Sequence, residues 1–288
     1  MKFSSEVFGT KSTQGMDYLS TIVNNIGLTK YSYTSQPEFE SMILKDMNSG
    51  LKQYWVEILY RAHFASVASI YRNYQWMQGM QTSYDCHLFL PFTSCFRALI
   101  ESTSDTFDAF NGVPELLSKS NKTVKKILMG KYRKNVGYIS QELEDKLIHF
   151  SHARRISKNE NAPDSHYAKS AAKYIKALDK ENKLNLYKCY SELCEYTHPA
   201  ASSTGHYMTT IDQNTFVFTS GCDQQKIESF CSKYKEAMEV IISCAINPGL
   251  ITLKLLRKFP EPTCQEPIVD KVCLNEVQHW KDCLKHFT

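Results

Sequence analysis

Two short segments of this 288-residue chain carry residues whose type and spacing suit acid–base chemistry. Arg97 and Glu101 stand four apart in FRALIESTSDTFDAF, so on a helix they share a face that Asp105 and Asp108 extend. His198 closes the amphipathic run YKCYSELCEYTHP, and the proline after it disfavours the α conformation at the histidine. A helix therefore ends there. If the two segments pack together, His198 could pair with Glu101 or move a proton beside the Arg97 guanidinium. The same residues also have a plain structural reading. An i,i+4 ion pair on an exposed face and a histidine that caps a helix C-terminus are common and need no function.

A second group is purely cationic. Lys119, Lys122, Lys125, Lys126, Lys131, Arg133 and Lys134 follow one another with no acidic residue among them, and Tyr132 lies within the run. Basic residues interleaved with an aromatic suit a phosphate backbone with an occasional stacked base. Arg154, Arg155 and Lys158 lie near in sequence. The competing reading is a solvated lysine loop that serves solubility.

Asp145, His149 and His152 have the spacing to share a helix face, which suits a metal. Two or three ligands on one helix do not fill a coordination sphere, so these are read as surface residues and no metal or other cofactor is expected. No C-x-x-C occurs, and the ten cysteines offer no zinc-ribbon or thioredoxin-like pattern. A glycine-rich phosphate loop, a G-x-S-x-G elbow and an H-E-x-x-H motif are all missing, so the common nucleotide-binding and hydrolase classes lose support.

The elements that must position these groups read as helices. A hydrophobic fraction of 42% and a charged fraction of 22% sit near globular averages. The net charge of +4 is a mild bias toward anionic partners. The N-terminal residues lack the apolar core of an export signal, and the longest apolar run, Val240 to Ile246, is too short to span a membrane. A cytoplasmic protein with reduced thiols is the expectation.

Residues 1–34 are rich in Ser, Thr, Asn and Gly and read as an N-terminal extension with one short helix, Met16 to Ile26. Ser35 as N-cap and Pro37 at N1 open the helical domain, residues 35–259, which holds a basic insertion over 115–160. Apolar spacing predicts helices over about 51–78, 86–110, 140–157 and 223–246. Asn111-Gly112 acts as a stop, Pro248 kinks or ends its helix with a short helical continuation from Gly249 to Phe259, and Pro163-Asp164 opens a helix that runs to Leu178. Residues 207–219 alternate β-branched and aromatic types around Asp212-Gln213-Asn214 and predict a β-hairpin. Residues 260–288 form a C-terminal extension with a short helix. The fold class is all-α, an antiparallel helical bundle with one small hairpin inserted.

The pieces Arg97 and Glu101, then Tyr190, Leu193, His198 and Pro199, then Ser202 and Ser203, resemble the bacterial HEPN-like helical-bundle proteins over roughly residues 50–250. The resemblance implies a bundle that is often dimeric, and a homodimer is expected. It also implies an RNA-cutting or RNA-binding protein of stress or phage defence, or a non-catalytic relative. The ribonuclease members carry an arginine and a histidine on one helix with four to six residues between them, and no arginine here has such a histidine. Metal-independent cleavage would instead have to draw Arg97, Glu101 and His198 from two helices, with the basic tract holding RNA phosphates. The alternative is a dimerisation or interaction scaffold in which the same cluster locks helices together.

Overall fold

The computed structural model describes residues 2–26, 29–133, 136–157, 159–199, 201–261 and 267–287. The chain is all-α with one two-stranded antiparallel hairpin. In order run α1 (Ser5–Phe8), α2 (Thr10–Asn24), α3 (Gln36–Lys45), α4 (Met47–Asp85), α5 (Phe89–Phe110), α6 (Val113–Leu128) and α7 (Gln141–His152). After a 3-10 turn at Asp164–His166 come α8 (Ala171–Leu178), α9 (Leu186–Thr197) and α10 (Ala201–Gly205). The hairpin strands are β1 (Met208–Thr210) and β2 (Phe216–Phe218), paired Met208 to Phe218 and Thr210 to Phe216. Then follow α11 (Asp223–Lys233), α12 (Lys235–Leu256), a 3-10 turn at Pro267–Lys271 and α13 (Gln278–Leu284).

Local chemistry sets several of the boundaries. Glu38 accepts hydrogen bonds from the Ser35 amide (3.1 Å) and hydroxyl (2.6 Å), which fixes the start of α3. Asp46 does the same for α4 by accepting from the amides of Asn48 and Ser49, so Asn48-Ser49-Gly50 lies in the first turn of that helix. Gly112 takes a left-handed φ of 81° between α5 and α6, as its lack of a Cβ permits. The α4 helix passes through Gly79 to Asp85. A Cβ at Gly79 would lie 2.7 Å from Cys95 Sγ, so the glycine lets α4 and α5 approach closely.

Two compact units divide the chain. The first joins residues 1–21, 70–108 and 170–246. Its core includes Phe8, Met16, Leu19, Met77, Phe92, Phe96, Leu193, Ile227 and Ile241, all essentially without solvent exposure. Each such side chain contributes about 1.5–3 kcal/mol by leaving water. The first helices thus belong to this core, and α2 is longer than the short helix expected there.

The second unit joins residues 22–69, 109–169 and 247–288. Trp55 is buried, stacks on Tyr138 and donates its indole N–H to the Tyr138 carbonyl at 2.7 Å. Buried Val113, Leu117, Val124 and Ile127 give α6 an apolar stripe at helical spacing. From α13, Trp280 and Cys283 are buried, and Asn121 Nδ2 donates to the His286 carbonyl at 2.7 Å.

Three expectations about elements change. The basic run after Glu115 begins as the helix α6, which carries Lys119 to Lys126, and Lys131 and Arg133 lie beyond its end. Pro163-Asp164 opens only a 3-10 turn, and the helix resumes at Ala171. The helix expected over 223–246 breaks at Tyr234, and α12 continues past Pro248 to Leu256. Of the C-terminal extension over 260–288, residues 262–266 and 288 lie outside the described residues. With 22 residues, α12 is long and apolar enough to cross a membrane, but 61% of its most apolar window is buried within the molecule.

Candidate functional site

The first unit brings Arg97 and Glu101 to α9. Arg97 Nε lies 3.7 Å from Glu101 Oε1, as the i,i+4 spacing implies, and its Nη1 donates to Thr197 Oγ1 at 3.0 Å. Tyr190 donates its hydroxyl to Glu101 Oε1 at 2.8 Å. Burial, and then the neighbouring Glu101 carboxylate, push the Tyr190 phenol well above its ordinary pKa, so it remains a donor. Thr197 also donates to the Leu193 carbonyl at 3.0 Å. The result is a polar seam in which α5 holds both the middle and the end of α9. Both charged side chains are about one-third exposed, so the seam lies at a shielded edge.

His198 follows Thr197 directly, and its backbone is extended with φ −89° and ψ 152°. That is the conformation proline imposes on the residue before it. Its amide donates to the Cys194 carbonyl at 2.9 Å, and its side chain is exposed. Among the described residues its ring makes no hydrogen bond or ion pair, so it does not meet Glu101. Arg97 and His198 are therefore neighbours through Thr197, with one directed inward and the other outward.

Asp105, expected to extend the Arg97–Glu101 face, is held by Arg72 of α4. Arg72 Nη2 donates to Asp105 Oδ2 at 2.9 Å, to Thr106 Oγ1 at 2.9 Å and to the Ser102 carbonyl at 3.1 Å. The charged stripe of α5 thus has partners on both α4 and α9.

The basic tract belongs to the second unit. On α6, Lys119, Lys122 and Lys126 are exposed along one side, at spacings of three and four residues. They span about 10 Å along the helix. Lys125 is turned partly inward, with Nζ 5.1 Å from the Phe287 ring centroid. Beyond the helix Lys131 and Arg133 are exposed, and Arg133 donates to the Gly130 carbonyl at 2.9 Å. Lys134 lies outside the described residues, as does Lys158. Among the described residues none of Lys119, Lys122, Lys126 and Lys131 has an ion-pair partner. Tyr132 corrects the stacking expectation. It is buried and donates its hydroxyl to the Val136 carbonyl at 3.0 Å, so it offers no face to a base.

On α7, Asp145 accepts from Gln141 at 2.9 Å, His149 lies edge-on to Phe150, and His152 stacks on His166 with ring centroids 4.8 Å apart. Burial, and then His166 and Arg61, lower the His152 pKa. Among the described residues no three His, Cys, Asp or Glu side chains are grouped to hold a metal ion.

The partners the sequence did not announce are Arg72 and Thr197. Both act across helices, and a hydroxyl in an amphipathic run carries no charge signal. His206 is a further group without a motif around it. It follows the end of α10, its side chain is buried, and it lines a cavity in the first unit. No family model, no curated protein and no solved structure matches this chain.

Proposed function

We propose that this chain is an RNA-binding helical protein that meets the phosphate backbone with the outer face of α6. The observation that carries this reading is the row Lys119, Lys122 and Lys126, exposed and without ion-pair partners among the described residues, with Lys131 and Arg133 beyond the helix end. Free ammonium groups on a rigid helix release counterions from a nucleic acid, which drives sequence-independent binding. The reading places the chain beside the HEPN-like proteins of bacterial stress or phage defence, as a cytoplasmic homodimer. Cleavage is the stronger form of the same reading. It assigns proton transfer to exposed His198 and charge stabilisation to Arg97, one residue away through Thr197, with Glu101 positioning the arginine.

Incubating the protein with single-stranded RNA in a chelator, beside His198→Ala, separates binding from cleavage. Cleavage by the wild type alone supports a composite Arg97–His198 site. RNA retained intact by both proteins leaves an RNA-binding protein.

A second reading has its own observation. The network of Arg97, Glu101, Tyr190 and Thr197 suits a scaffold that holds α5 and α9 in register. Lack of RNA affinity at low salt, together with a concentration-dependent dimer in sedimentation, would favour that reading.

A further inference from the structure

The first unit contains a cavity of about 330 Å³ lined by Phe89, Tyr196, His206, Lys226, Phe230 and Lys233, with neighbours from α9 and α11. Its walls are aromatic. The rings of Phe89 and Tyr196 meet edge-on at 4.9 Å, Phe89 lies 5.2 Å from the His206 ring, and Tyr196 lies 6.4 Å from Phe230.

His206 is 4% exposed, and its two ring nitrogens differ. Nδ1 lies 3.0 Å from the Ser203 carbonyl, an acceptor only, so Nδ1 carries the hydrogen. In the neutral ring Nε2 then presents a lone pair. Burial lowers the His206 pKa, which favours that neutral form. Among the described residues Nε2 has no hydrogen-bond partner. Asp223 Oδ1 is 4.0 Å away, too far for a hydrogen bond, and Asp223 Oδ2 accepts from the Phe89 amide at 3.2 Å. A buried acceptor without a donor is unfavourable unless something else supplies one.

The cationic side of the cavity is partly engaged. Lys226 donates to the His206 carbonyl, and Lys233 donates at 2.6 Å to Glu192, a carboxylate that also lines the cavity and accepts from the Tyr234 hydroxyl at 2.6 Å. Each ammonium has three hydrogens, so each retains donors for an anion.

We infer that this cavity binds a small single-ring aromatic acid that carries a ring O–H or N–H. The ring lies among Phe89, Tyr196 and Phe230, the donor meets His206 Nε2, and the carboxylate meets Lys226 and Lys233. The volume is near the lower end of ligand pockets, about 300–1,000 Å³, which fits one ring. This site does not depend on the RNA reading.

Titration calorimetry on the full chain tests it with four probes: 4-hydroxybenzoate, pyrrole-2-carboxylate, benzoate and cyclohexanecarboxylate. The two acids with a ring donor should bind saturably, and benzoate should bind at least about tenfold more weakly for want of one hydrogen bond. Cyclohexanecarboxylate should be weaker again. His206→Phe should bring 4-hydroxybenzoate down to the benzoate affinity, and Lys233→Met should weaken all the aromatic acids. If His206→Phe loses its helical circular dichroism, the wild-type comparison of 4-hydroxybenzoate with benzoate and the Lys233→Met titration decide the matter. Equal affinity for those two acids, or no saturable heat from any probe at millimolar concentration, would overturn the inference.

Discussion

Consecutive helices of this chain carry two charged stripes that look alike in sequence and behave differently in the fold. On α5, Arg97, Glu101 and Asp105 recur every four residues, and each has a partner: Thr197, Tyr190 and Arg72. On α6, Lys119, Lys122 and Lys126 recur at three and four, and they face solvent with no ion-pair partner among the described residues. The difference lies in what surrounds each helix. A polar group half-buried between helices must find a partner, because an unpaired one is costly. A lysine on an outer face remains hydrated and keeps its charge for a ligand. Saturated polar groups hold a fold, and unsaturated ones are available to bind.

That contrast can be tested where the effects are largest. His63 is a buried polar side chain held by the fold, with its Nδ1 2.8 Å from the Tyr31 hydroxyl. Burial lowers its pKa from 6.5 to about 4. The unfolded chain then takes up a proton first, so the His63 contribution is constant above about pH 6.5 and falls as pH drops toward 4. The loss is on the order of 3 kcal/mol over that window. Urea unfolding at pH 7.5 and 4.5 should show a smaller acid loss in His63→Gln than in wild type, and an equal loss would contradict it.

Arg97→Ala removes the partner of Thr197 and leaves Glu101 with Tyr190 alone. A stability loss of about 2 kcal/mol is expected, within the range for charged hydrogen bonds. Tyr190→Phe deletes a single hydrogen bond to Glu101 and should cost about 1 kcal/mol. If both variants unfold at the wild-type urea concentration, the seam does not hold α5 to α9. At the small end, the triple change Lys119→Gln, Lys122→Gln and Lys126→Gln should shift stability by no more than about 0.5 kcal/mol, as exposed substitutions do. A large loss there would mean that the lysines support the fold after all.

Features set by neighbours in sequence were the ones legible beforehand. Pro199 after His198, glycine at 112, the Ser35-to-Glu38 helix start and the hairpin around Asp212 to Asn214 each depend on a few adjacent residues. The helical nature of α6 was harder to read because Ser118, Ser120 and Asn121 lie on its buried face and blur the apolar spacing. Asn121 is accepted there because its amide bonds the Ser118 and His286 carbonyls. Pro248 left open whether its helix kinks or ends, and packing decides that α12 continues, with Leu250, Ile251 and Leu253 buried just beyond it. In the candidate site, the i,i+4 spacing of Arg97 and Glu101 was visible, but the identity of their partners was not. Tyr190 and Thr197 come from another helix, and His198, whose helix end was legible, is turned to solvent.

The most direct test of the central claim is the salt dependence of RNA binding, measured by fluorescence anisotropy with a labelled single strand. Wild type should bind with a linear fall of log affinity against log salt. Neutralising Lys119, Lys122 and Lys126 to glutamine should flatten that slope by about 2, since each phosphate contact on a single strand contributes about 0.7. Equal slopes and affinities for the two proteins would contradict the assignment of α6 as the RNA-binding face.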